Sequence, residues 1–100
     1  RGVFGQGLLI SVEAQLLYTK LLFLQEEARW WNSTKKGIPI VIKQEMKKRF
    51  FQIRREIASL EKKARNYYIQ CAGDRKSFRT WWKGLFELDM YLTEKAISFL

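Results

Sequence analysis

The sequence predicts an all-α protein, an antiparallel bundle of three long helices in a single domain, with a fourth helix or a partner's helix as candidates to close it. Three observations carry that prediction. Apolar residues recur at three- and four-residue spacings through most of the chain, the period of a helix face. Six Gly and one Pro in 100 residues are too few for a chain of many short strands and turns. Hydrophobic residues make up 47 % of the chain, with seven Phe, four Trp and four Tyr, enough to build a packed core and to exclude intrinsic disorder.

Residues 1–7 carry Gly2, Gly5 and Gly7 and read as a flexible lead-in. Arg1 stands where an initiator Met would, which fits either a processed form, with an N-terminal targeting peptide removed, or the ordered part of something longer. The first helix is expected over residues 8–31. It is unusually apolar, with Leu8, Leu9, Ile10, Val12, Leu16, Leu17, Leu21, Leu22, Phe23 and Leu24. A membrane span needs about 20 consecutive apolar residues. Glu13, Gln15 and Lys20 interrupt this stretch, so the expectation is a buried or partner-covered helix. Its apolar coverage exceeds one face, more than a small bundle needs.

Residues 32–39 form the first linker, polar and ending in Gly37-Ile38-Pro39, a helix stop followed by a helix start. The second helix is expected over residues 40–72. Its seam is Met46, Phe50, Ile53, Ile57, Leu60, Ala64, Tyr67 and Cys71, spaced alternately by four and three so that one side chain per turn stays on one face. Gly73-Asp74 is the second linker, Gly ending one helix and Asp capping the next. The third helix, residues 75–99, is expected to bury Phe78, Trp81, Leu85, Leu88, Leu92 and Phe99, with Ala96 near them and Trp82, Phe86 and Tyr91 widening the face.

The chemistry on offer is sparse. There is no His, which removes the commonest acid–base group and metal ligand. Cys71 is the sole cysteine, so there is neither an internal disulfide nor a cysteine-rich metal site, and its place on the seam predicts a buried structural thiol. No catalytic, cofactor-binding or metal-binding residues are assigned, and the chain reads as a non-enzyme. Its charge is more informative. The net charge is +9, and residues 34–72 hold eleven basic and three acidic side chains, whereas residues 1–33 hold three of each and residues 73–100 five and four. Such a surface seeks an anionic partner. Lys43, Lys47, Lys48, Arg54, Arg55 and Lys62 are the residues expected to contact it. Protein subunits of a large complex are the favoured partners, and nucleic acid is second because Glu45, Glu56 and Glu61 punctuate the stripe.

Two family likenesses sharpen this expectation. Ile38-Pro39 is followed by Glu45-Met46-Lys47-Lys48-Arg49-Phe50-Phe51-Gln52-Ile53-Arg54-Arg55-Glu56-Ile57, and the third helix has Lys76-Ser77-Phe78, Leu85-Phe86, Leu92 and Ala96. Over about sixty residues this resembles the PsbQ family, small basic helical bundles on the lumenal side of photosystem II, with relatives in the chloroplast NDH complex. Ile38 stands where that family has Trp, and the family's last helix has no counterpart here. Leu17-Tyr18-Thr19-Lys20-Leu21-Leu22 is similar to the Leu-Tyr-Arg start of mitochondrial LYR proteins, with Thr19 in place of the Arg. Both resemblances imply a small extrinsic subunit of a membrane-bound energy-transducing complex, itself not membrane-spanning. The first implies the thylakoid lumen and the second the mitochondrion.

Overall fold

The computed structural model describes residues 2–72 and 74–97, with side chains described over 7–71 and 74–97. It contains three helices, α1 (Gly2–Asn32), α2 (Ile40–Ala72) and α3 (Arg75–Ile97). The course of the chain can be read from contacts alone. A side chain on Gly7 would press on Tyr67, Lys20 meets Glu56, and Arg49 meets Glu27. As residue numbers rise in α1 they fall in α2, so the two helices are antiparallel. Asn32 Nδ2 donates to the Ala96 carbonyl at 2.6 Å, and Ala14 and Tyr18 share a groove with Leu85 and Asp89. Helix α3 therefore runs beside α1 in the same direction. Each helix touches both others, and the molecule measures 52 × 24 × 17 Å.

The core lies along the common axis and is built from Leu17, Leu21, Leu24 and Ala28 of α1, from Met46 to Ala64 of the α2 seam, and from Phe78, Trp82, Phe86 and Ile97 of α3. The α2 seam is buried as its spacing requires until its last turn. There Tyr67 is half-buried and Cys71 is exposed, which corrects the expectation of a buried thiol. The reason is geometric: α3 begins only at Arg75, so one of the two helices that cover the seam is missing at the level of Cys71. The neighbouring Cys71 thiol raises the pKa of the Tyr67 hydroxyl above the ordinary 10.0.

Two further expectations are corrected. Residues 2–7 belong to α1 rather than to a flexible lead-in. Gly7 lies under the ring of Tyr67, where an added Cβ would sit 2.8 Å from Cζ, and this close approach holds the start of α1 against α2. On α3 the buried ridge is Phe78, Trp82, Phe86, Thr93 and Ile97, while Trp81, Leu88 and Leu92 are exposed and Leu85 is half-buried. Both ridges have helical spacing. The chosen one inserts the rings of Trp82 and Phe86 between α1 and α2, and its polar member satisfies itself, because the Thr93 hydroxyl donates to the Asp89 carbonyl at 2.7 Å. Phe99 lies outside the described residues.

The helix ends are specific. Gly37 takes φ +70, a left-handed conformation that other residues rarely adopt, and the Thr34 hydroxyl donates to the Trp31 carbonyl at 2.7 Å to close the end of α1. The Pro39 carbonyl accepts the first helical bond of α2 from Lys43 N at 2.8 Å. Asp74 caps α3: its Oδ1 accepts from Lys76 N at 3.0 Å and Ser77 N at 3.3 Å, and its Oδ2 from the Ser77 hydroxyl at 2.7 Å.

Candidate docking surfaces

Two kinds of surface stand out once the core is assigned, one basic and one apolar. The basic surface is the outer side of α2. Lys47, Lys48, Arg54, Arg55 and Lys62 are exposed there, and Lys43 is half-buried near the helix start. Arg65 is exposed as well, three residues beyond Lys62, and its helical spacing from Lys47 and Arg54 is the signal that places it in the same set. Arg49 is turned toward α1, where its Nη2 holds both carboxylate oxygens of Glu27 at 2.9 and 3.0 Å.

Of the three acidic residues of α2, Glu56 does not break this surface, while Glu45 is exposed and Glu61 half-buried. Glu56 is half-buried and faces α1, accepting from Lys20 Nζ at 3.5 Å and from Gln52 Nε2 at 3.0 Å. Gln52 Oε1 in turn accepts from Arg55 Nη2 at 2.7 Å. A polar chain thus runs from Arg55 on the outer face through Gln52 and Glu56 to Lys20 on α1. With side chains between a third and a half exposed, the Lys20–Glu56 pair is screened and contributes under about 1 kcal/mol. Its effect is to hold Glu56 at the side of the stripe. Arg54 is anchored differently, its guanidinium lying 6.0 and 5.9 Å from the centroids of Phe50 and Phe51.

The apolar surfaces belong to α1 and α3. On α3 the ridge left out of the core, Trp81, Leu85, Leu88 and Leu92, has the 4-3-4 spacing of a helix seam, and Leu88 is 65 % exposed. Trp81 stacks on Tyr68 at 6.4 Å, and the rings of Tyr68, Phe78, Trp82 and Phe86 follow one another at 5.2–5.7 Å, so the base of this ridge is rigid. Beside it an open groove of about 580 Å³ separates α1 from α3, walled by Leu8, Ile10, Ala14, Tyr68, Trp81 and Leu85. On α1, Leu9, Val12, Leu16, Phe23 and Trp30 all face solvent. The helix from Gly7 to Asn32 is long and apolar enough to cross a membrane by length and composition, and 17 % of its most apolar stretch is buried in the bundle.

Among the described residues, no three His, Cys, Asp or Glu side chains gather as a metal site. No protein-family model matches this chain, nor does any curated protein or solved structure.

Proposed function

We propose that the chain is a non-catalytic accessory subunit that stabilises a large membrane-associated energy-transducing complex, a photosynthetic electron-transfer assembly of the thylakoid lumen. It docks through the basic outer face of α2 and the aromatic and apolar ridge of α3. The observation that carries this reading is the sorting of charge on α2. Lys47, Lys48, Arg54, Arg55 and Lys62 share the outer surface, while Glu56 is drawn aside to Lys20. A cationic surface of this kind steers an acidic protein partner into place and fixes its register, and Trp81 with Leu88 offers the apolar anchor that interfaces favour. The PsbQ-like helix pattern supplies the kind of complex, and a three-helix bundle is compatible with it.

Replacing Lys47, Lys48, Arg54 and Arg55 together by Gln tests the reading. The helical spectrum and melting temperature are expected to stay close to the wild type. Association with the complex, followed by co-purification and mass spectrometry, is expected to weaken at least tenfold, with its salt dependence flattened. Unchanged co-purification removes electrostatic docking.

A second reading, an RNA-contacting structural protein of an organellar ribosome, is favoured by the same withdrawal of Glu56, which leaves the stripe better suited to phosphates. A filter-binding titration separates the two readings. RNA affinity that persists at physiological salt and is lost on replacing Arg54 and Arg55 selects this one, and no binding at low salt retires it.

A further inference from the structure

Helix α3 holds a division that its overall charge conceals. Arg75, Lys76, Arg79 and Lys83 come first, and Glu87, Asp89 and Glu94 follow, with Lys95 the one cation among them. Phe78, Trp82 and Phe86 fill the core, while Leu85 and Asp89 share a groove with α1. A helix turns about 100° per residue, so Arg75, Arg79 and Lys83 fall on the remaining flank, the one beside α2. All three are exposed, as is Lys76.

Arg65 joins them from α2. Glu56 and Lys63 line a groove against α1 and Tyr68 reaches α3, which puts Arg65, also exposed, on the α3 side. Counting antiparallel from the ring contacts of Tyr68 with Phe78 and Trp81 sets Arg65 level with about Lys83 and Glu61 level with about Glu87. Those two glutamates mark the far edge of a patch of five exposed cations. The carboxylate at its near edge, Asp74, is taken up in capping α3. Among the described residues the ion pairs use Lys20, Arg29 and Arg49, and none of the five cations is in one.

The patch offers cations and no apolar anchor. Among the described residues, no large hydrophobic side chain between Phe51 and Trp81 is exposed, and Trp81 itself lines the groove on the α1 side. Protein interfaces are centred on buried apolar and aromatic residues and are poor in lysine, and a bilayer holds a surface helix by apolar area as well as charge. Cations alone suit phosphates carried densely on a polymer, as in nucleic acid, whose protein contacts are polar and strongly basic. Single strands are held by stacking bases on aromatic rings, and here Tyr68 is already stacked on Trp81 while Tyr67 covers Gly7. The backbone of a duplex needs no such ring.

We propose that Arg65, Arg75, Lys76, Arg79 and Lys83 bind the phosphate backbone of a nucleic-acid duplex without reading its sequence. The chemistry is that of the RNA-contacting reading above, carried by different residues. Arg54 and Arg55 lie outside the patch, and the cations proposed to dock a protein subunit are not used.

Fluorescence anisotropy with labelled DNA duplexes of two unrelated sequences tests this, and the two should bind alike. Five phosphate contacts give a slope of about −4.5 in log affinity against log salt, a fall of about 500-fold between 50 and 200 mM. Arg79→Gln with Lys83→Gln should bring the slope to about −2.7 and the fall to about 40-fold. Arg54→Gln with Arg55→Gln removes the same charge and is expected to leave the slope unchanged. All four positions are exposed, so helix content by circular dichroism should hold in both variants. Absence of duplex binding at the lowest salt overturns the proposal and the RNA-contacting reading together. A slope lowered by the Arg54 and Arg55 pair and not by the α3 pair overturns the patch and leaves that reading standing. A single strand bound more tightly than the duplex overturns the duplex as occupant. Polyglutamate or phosphatidylserine vesicles bound more tightly than the duplex, and released by the α3 pair, make protein or lipid the occupant and overturn it as well.

Discussion

Helices α1 and α2 have nearly the same length and lie against each other, yet they treat their outer faces in opposite ways. Each buries one apolar stripe in the shared core, Leu17, Leu21, Leu24 and Ala28 on α1 and Met46 to Ala64 on α2. Behind its stripe α2 presents lysine and arginine to water, while α1 presents Leu9, Val12, Leu16, Phe23 and Trp30. A helix that is apolar on one side is completed by its own fold; one that is apolar on both sides is completed only by something else. The fold accounts for α2 as a free-standing surface and leaves α1 half explained.

Placing the same charge on the inner face of one helix and the outer face of the other tests this contrast most directly. Phe50→Asp, at a site 1 % exposed, is expected to unfold the chain: an unpaired buried charge costs several kcal/mol against a total stability of about 5–15 kcal/mol. Phe23→Asp should change monomer stability by less than about 0.5 kcal/mol in thermal melts at high dilution. Equal losses at the two sites would remove the distinction between the faces.

The inner face of α1 has one flaw that sharpens the comparison. Gln25 is buried, and its Nε2 has no hydrogen-bond partner. Gln25→Met keeps the volume and removes the unsatisfied donor, and is expected to stabilise the protein by about 1–3 kcal/mol in chemical denaturation. A loss instead would mean that the amide is satisfied by a group such as a trapped water. A smaller gain is expected on α3. Gly84 sits mid-helix with open space where a Cβ would be, so Gly84→Ala should add about 0.5–1 kcal/mol to stability by the same measurement. Because Gly84 borders the groove shared with Tyr18, the same change should weaken any partner seated there.

The smallest effect lies outside both helices, at Asp74. Hydrogen bonds from the Ser77 hydroxyl, the Ser77 N–H and the Lys76 N–H hold its carboxyl below the ordinary 3.8. Its contribution is therefore complete above that value and is lost as pH falls through the lower folded-state value. Asp74→Asn keeps a capping acceptor and cannot titrate. Melts between pH 7 and pH 2 should show a slightly shallower acid decline for the variant, with the wild type slightly the more stable at neutral pH and the two converging in acid.

The class of fold and the α2 seam were legible in the sequence because one residue type at one spacing admitted a single face. Met46 through Ala64 left no competing ridge. Helix α3 offered two, and periodicity could not rank Phe78–Trp82–Phe86 above Trp81–Leu85–Leu88, since the choice depends on the space between α1 and α2. Thr93 was invisible for a different reason: its hydroxyl is satisfied locally, which a count of apolar residues cannot register. Of the basic residues, Lys47, Lys48, Arg54, Arg55 and Lys62 do reach the surface, and Lys43 is half-buried. What the sequence could not show was where Glu56 turns, because its partner Lys20 lies 36 residues away. Cys71 was misplaced because periodicity along α2 carries no record of where α3 begins.

The bond from Asn32 to the Ala96 carbonyl has a consequence for the order in which the chain folds. Contacts between α1 and α2, or between α2 and α3, close short connections and carry a small loop entropy. The Asn32–Ala96 contact joins residues 64 apart and cannot form until α3 has travelled back alongside α1. It is expected to belong to the last event, the clasp that shuts after the helices have met, and an Asn32→Ala variant that speeds unfolding while leaving the folding rate unchanged checks this. An interaction made that late holds the native state closed without helping to reach it, so it governs how slowly the bundle opens rather than how fast it assembles.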